Sequence, residues 1–152
     1  MQLTREGDYA VRVMTDLAAA PWGAIIPRRQ IQERQDVPPA LLAKIVQALS
    51  RAGLVRTFRG AGGGVSLGVR PDKVTLRRVI ESVEGPIYLN RCLVRPGACP
   101  RDGFCTVHPV WHRIQAVLVR ELEAVTMAAL VPRERREDPR RGGVVPLSGP
   151  GR

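Results

Sequence analysis

The chain has 152 residues, 44% of them hydrophobic, enough for one domain with a core of its own, and its three cysteines are too few and odd in number for a disulfide framework. Twenty-four Lys and Arg against 14 Asp and Glu give a formal charge of +10, which points to a polyanionic partner, while an aromatic content of 4% argues against recognition of single strands by stacked bases. No leader pattern and no apolar run near the ~20 residues of a membrane span is present, so a cytoplasmic protein with reduced thiols and no membrane partner is expected.

From Thr4 to Ala19 the apolar residues Ala10, Val13, Met14, Leu17 and Ala18 recur at helical spacing, with Thr4 as N-cap and Pro21 and Gly23 ending the run. Asp8 lies about 200° around that helix from Ala10 and points away from its buried face. A short helix follows over Pro27–Gln35, with Pro27 at the first helical position. After the turn Asp36-Val37-Pro38 comes a helix from Pro39 to about Ala52. Leu41, Leu42, Ile45, Val46 and Leu49 form its apolar face, Ala40, Ala43, Lys44, Gln47 and Arg51 its outer one, and Gly53 its cap.

The period then changes to alternation. Leu54–Arg59 and Val65–Val69 read as two strands around the turn RGAGGG. That turn lacks the GK[ST] of a P-loop and the last glycine of GxGxxG. Helix, turn, helix and glycine-tipped hairpin is the order of a winged helix-turn-helix, so the fold expected is mainly α with a small β-hairpin wing. Leu76, Val79, Ile80 and Val83 give a further amphipathic helix, stopped by Gly85 and Pro86. Pro109 opens a long helix to about Val131, whose seam of Trp111, Ile114, Leu118, Leu122, Val125 and Ala129 suits pairing with another helix. The remainder is rich in Pro, Gly and Arg and reads as a disordered basic tail. The organisation expected is a winged helix-turn-helix over residues 1–85, a cysteine loop over 86–108, a dimerisation helix over 109–131 and the tail over 132–152.

Read as a double-stranded DNA binder, the helix from Pro39 is the recognition helix. Ala40, Leu41, Ala43, Lys44, Gln47 and Arg51 are its candidates for base and phosphate contact, and Arg56, Arg59 and Gly60 bring the wing to a minor groove. The segment CLVRPGACPRDGFCTVH, Cys92 to His108, holds all three thiols, with six residues between Cys92 and Cys99 and five between Cys99 and Cys105. This spacing is wider than that of structural zinc pairs or ferredoxin runs, and by itself it selects no metal. A thiol switch is the other chemistry open to such a loop. His112 reads as a structural residue further along the helix.

The opening MQLTREGDYAVRVMTDLA, the block LSRAGLVRTFRGAGGGVSLG and the three-cysteine loop together resemble the Rrf-type winged-helix transcription regulators, the group of IscR/NsrR-like iron–sulfur regulators, over about Met1 to Val131. The resemblance implies a homodimer joined by the long helix, a near-palindromic DNA operator, and an iron–sulfur cluster on Cys92, Cys99 and Cys105. It offers two fourth ligands. His108, just after the third cysteine, implies a two-iron cluster, and Asp8, supplied by the partner subunit, implies a four-iron one, the reading preferred here. The gap between Cys92 and Cys99 departs from the IscR-like spacing. The function expected is a transcription regulator, not an enzyme, whose operator affinity responds through the cluster to nitric oxide, redox or iron status. The alternatives are a small iron–sulfur electron carrier and a zinc- or thiol-based DNA-binding regulator.

Overall fold

The computed structural model describes residues 3–132, in the order α1 (Arg5–Ala18), α2 (Arg28–Gln35), α3 (Pro39–Arg51), β1 (Val55–Phe58), β2 (Gly64–Leu67), α4 (Leu76–Glu84), α5 (His108–Ala124) and α6 (Met127–Leu130). Apart from Pro132, the tail expected over 132–152 lies outside the described residues. Thr4 caps α1 through its hydroxyl, which accepts from the Gly7 N–H at 3.2 Å. Pro27 is itself the N-cap of α2 rather than its first residue, with extended ψ of 135°. Asp36 turns the chain in the left-handed region at φ 50°, and Pro39 opens α3 at a position where its missing N–H costs nothing.

The core lies among α1, α2, α3 and the hairpin. Met14, Ile31, Leu42, Ile45, Leu49, Leu54 and Val65 are all fully buried in it. An ion pair and a pair of hydrogen bonds to a helix cap brace the helices around it. The carboxylate of Asp16, 1% exposed, holds Arg34 of α2 at 2.9 Å, and Glu84 at the end of α4 accepts from both the backbone N–H and the hydroxyl of Thr4. The Asp16 carboxylate is nearly dry, so removal of Arg34 would leave a buried charge short of one partner.

The long helix expected to reach about Val131 ends at Ala124. Val125 is extended (φ −94°, ψ 118°), and the chain pairs with the segment ahead of α4: Leu76 N–H donates to the Val125 carbonyl and Met127 N–H to the Val74 carbonyl, each at 2.8 Å. Backbone pairing with a distant segment thus breaks the helix at Val125 and leaves Ala129 in the separate short α6. Met127, off the expected seam, is fully buried in the core beside α1. The seam itself divides. Trp111, Leu118 and Leu122 are half-buried and Gln115 hydrogen-bonds the Ile87 carbonyl and Leu89 N–H, whereas Ile114 is exposed together with Val110 and Val117.

Because Met127 closes the core, Met127→Ala is expected to cost about 3 kcal/mol. A urea melt should show a lower midpoint at unchanged slope. Unchanged stability would mean that the segment after α5 is not part of the domain.

Candidate nucleic-acid interface and cysteine loop

The outer face of α3 leaves Ala40, Ala43, Lys44, Gln47 and Arg51 exposed, with Leu41 half-buried at its edge. Two alanines beside longer polar chains make a face with a flat apolar entry and flanking donors, a surface suited to a thymine methyl and adjoining phosphates. The wing carries Arg56, Arg59 and Gly60 exposed on β1 and the tip. Val55 pairs with Leu67 and Phe58 with Gly64, so the hairpin is short and its tip turns through Gly60 at φ 92°, a conformation costly for any other residue.

The structure distinguishes among the cations that the sequence grouped together. Lys44 Nζ lies 2.9 Å from Glu6 in the first turn of α1, so its charge is already matched within the chain. Among the described residues Arg51, Arg56 and Arg59 have no carboxylate partner. Arg28, which the sequence reading passed over, joins that unpaired set and faces the wing. Its signal was available only as a basic residue after Pro27.

The cysteine loop runs from Gly85 to Val107 between α4 and α5. It is anchored at its start, where Ile87 N–H donates to Glu81 and Gln115 of α5 holds Ile87 and Leu89. Beyond Asn90 it is a series of turns closed by local bonds, such as Cys105 N–H to the Arg101 carbonyl at 2.9 Å. Cys92, Cys99 and Cys105 are free thiols, each half-buried. Cys92 lines a groove of about 480 Å³ with Asp102, His108 and His112, and Cys99 and Cys105 lie outside it. Asp102 accepts from Gly97 N–H at 2.9 Å through one carboxylate oxygen, and the other is buried without a hydrogen-bond partner. His112, read as structural, is in fact exposed on this groove, one turn beyond His108.

The donor chemistry fits an iron–sulfur cluster: three free thiols lie on one loop, and a histidine opens the helix that follows it. The geometry gathers only part of it. Among the described residues no three Cys, His, Asp or Glu side chains stand together at metal-holding distance. Asp8 is elsewhere. Its side chain is 62% exposed, 3.9 Å from Arg12, and borders an apolar cavity of about 380 Å³ with Leu3, Ile80, Ile87 and Leu122. Cys92 and Asp8 of one chain therefore line different cavities, whereas Cys92 and His108 share one.

A winged helix-turn-helix followed by a thiol-bearing loop now has its counterpart among known proteins. Residues 3–133 match the family model Rrf2, described as iron-dependent transcriptional regulator. The chain belongs to the Rrf2 family of transcriptional regulators. It is 31% identical to the HTH-type transcriptional regulator IscR of Aliivibrio salmonicida over 131 residues, covering 86% of this chain and 77% of that protein. Among solved structures it is similar to T. potens IscR (TM-score 0.68, 26% identity, 86% of this chain and 85% of that one). It is also similar to CymR, the global cysteine regulator of B. subtilis (TM-score 0.69, 28% identity, 86% and 95%). The winged-helix fold and the role in transcription, rather than catalysis, follow from this membership, and DNA binding with them. Among the described residues no helix is long and apolar enough to cross a membrane.

If Glu6 withholds Lys44 from DNA, Glu6→Gln should tighten duplex binding by up to about fivefold, as expected from the ~0.2–1 kcal/mol of an exposed ion pair. The log–log salt slope should also steepen, by up to about 0.9 for one added phosphate contact. Fluorescence anisotropy across a salt series measures both; an unchanged slope would show that Lys44 does not reach the duplex.

Proposed function

We propose that this Rrf2 regulator is a cytoplasmic homodimer that binds a near-palindromic operator through α3 and the wing, and that an iron–sulfur cluster on the cysteine loop sets its affinity. The observation that carries the reading is the position of the thiols: all three lie on the one connection between α4, packed on the DNA-binding core, and α5, whose outer face is uncovered. Val110, Ile114 and Val117, at 38%, 44% and 47% exposure, form an apolar stripe on α5 suited to a second copy of the same helix.

Cys92, Cys99 and Cys105 would hold the cluster. His108 is favoured as the in-chain fourth ligand because it shares the groove with Cys92. Asp8 serves only if the partner's loop reaches the cavity on α1. A cluster of this kind supplies iron that responds to nitric oxide, oxidants and iron supply. The chain's own part is mechanical. Repacking of the loop from Asn90 to Val107 moves α5, and movement of α5 changes the spacing of two α3 helices that must fit two half-sites together.

A second reading, a bare thiol switch, is favoured by the half-buried, ungathered cysteines and by the likeness to a protein named as a cysteine regulator. Native mass spectrometry and absorbance of protein purified without oxygen separate the two. A coloured dimer carrying iron and sulfide is expected, with the cluster lost in Cys92→Ala, Cys99→Ala and Cys105→Ala. His108→Ala should weaken retention more than Asp8→Ala, and the reverse result would assign the ligand to the partner subunit. A colourless protein that takes up no iron and sulfide on reconstitution, yet changes its DNA affinity on thiol oxidation, would replace the cluster with the thiol switch.

A further inference from the structure

Between the start of α2 and the wing lies a mostly polar notch of about 470 Å³, lined by Arg28, Thr57, Phe58, Arg59 and the glycines of the tip. Its two walls are fixed to each other. Ile26, two residues before Arg28, exchanges both backbone hydrogen bonds with Val65 of β2 at 2.9 Å, and both residues are fully buried. Gly64 lies so close to this crossing that a Cβ there would stand 2.3 Å from the Ile26 carbonyl oxygen, a backbone atom with no freedom to yield. Arg28 and Arg59 therefore face one space by construction.

The electrostatics of the notch are as specific as its shape. Among the described residues neither Arg28 nor Arg59 has a carboxylate partner, and no acidic side chain lines the notch. The adjacent Arg29 is the contrast. Its Nε donates to Glu33 at 2.7 Å, and that hydrogen bond, followed by the charge of Glu33, raises its pKa above the ordinary arginine value. Arg34, further along α2, is bonded to Asp16. Two unmatched guanidinium groups, a threonine hydroxyl and glycine backbone open to close approach are the groups that bind a phosphodiester.

We infer that this notch seats a backbone phosphate of duplex DNA, making Arg28 a phosphate contact outside the recognition helix that fixes how deeply the wing tip enters the minor groove. The inference rests on the DNA-binding role of α3 and the wing and adds Arg28 of α2 to the wing's side of the contact.

The test compares Arg28→Gln with Arg29→Gln. Each removes one positive charge from neighbouring exposed positions of α2, so both change net charge alike and only one alters the notch. Binding to a mixed-sequence duplex is followed by anisotropy over a salt series, with thermal melts to verify folding. Arg28→Gln should lower the magnitude of the log–log salt slope by about 0.9 and weaken binding evenly across duplex sequences, and Arg29→Gln should leave the slope unchanged. Equal losses in the two variants, or none in Arg28→Gln, would overturn the notch while leaving the DNA-binding role of the protein intact. Saturable binding of inorganic phosphate alone, dependent on Arg28 but with an unaltered DNA slope, would make it a small-anion site and overturn the DNA assignment. Absence of duplex binding by the unaltered protein at any salt would instead remove the reading on which the inference stands.

Discussion

The pair of backbone hydrogen bonds between Ile26 and Val65 is the constraint from which the joint placement of α2, α3 and the wing follows. It joins the chain just ahead of α2 to the inner strand of the wing, inside the core, where an unmade amide bond costs about 1–3 kcal/mol. With α2 tied to the wing and α3 packed by Leu42, Ile45 and Leu49 against the same core, α3 and the wing form one body. The glycine run serves two purposes in this arrangement. Gly60 supplies the positive φ of the tip, and Gly64 supplies the space for the crossing. Neither requires a nucleotide, which is why a glycine-rich turn with no Walker lysine belongs here.

Charge on this protein is sorted by pairing as well as by sequence. A chain with ten excess positive charges could present them anywhere, yet several of its cations are spent internally. Arg34 braces α2 against α1 through Asp16, and Lys44 ties α3 to α1 through Glu6. The cations left without a carboxylate partner among the described residues on this side, Arg28, Arg51, Arg56 and Arg59, lie on α2, on α3 and along the wing. Formal charge therefore counts Lys44, which is paired with Glu6, and Arg28, which among the described residues has no carboxylate partner, alike. The surface potential felt by a duplex depends on which side chains lack partners.

The helices and the hairpin were legible because each buries one face, and burial imposes a period that sequence displays directly. Thr4, Pro39 and Gly53 marked ends for equally local reasons, the satisfaction of first-turn donors and last-turn acceptors. What was illegible was long-range. The end of α5 at Ala124 is set by pairing of Val125 and Met127 with Val74 and Leu76, some fifty residues earlier, and Val125 and Ala129 fit a helical seam well enough to conceal it. The Glu6–Lys44 pair spans 38 residues and leaves no local pattern. At the cysteine loop the composition announced a site and the residues in it, but the grouping of Cys92 with Asp102, His108 and His112 depends on turns that no periodicity describes.

The same loop is where the fold is least tied down. From Asn90 to Val107, among the described residues, the backbone bonds close turns within the loop itself, whereas its two ends are clamped by Glu81 and Gln115 on one side and by the start of α5 on the other. A segment with local bonds and firm ends opens at low free energy without unfolding its neighbours. From its clamped end, contacts run toward α3: Glu81 and Glu84 share α4, Glu84 holds the cap of α1, and Glu6 in the first turn of α1 holds Lys44 of α3. Adjacency of this kind is not coupling; coupling requires an element with two arrangements that both sites bias. The thiol loop is the segment whose backbone bonds are local, whereas α3 and the wing are held by the buried core, so a change confined to the loop leaves that core intact.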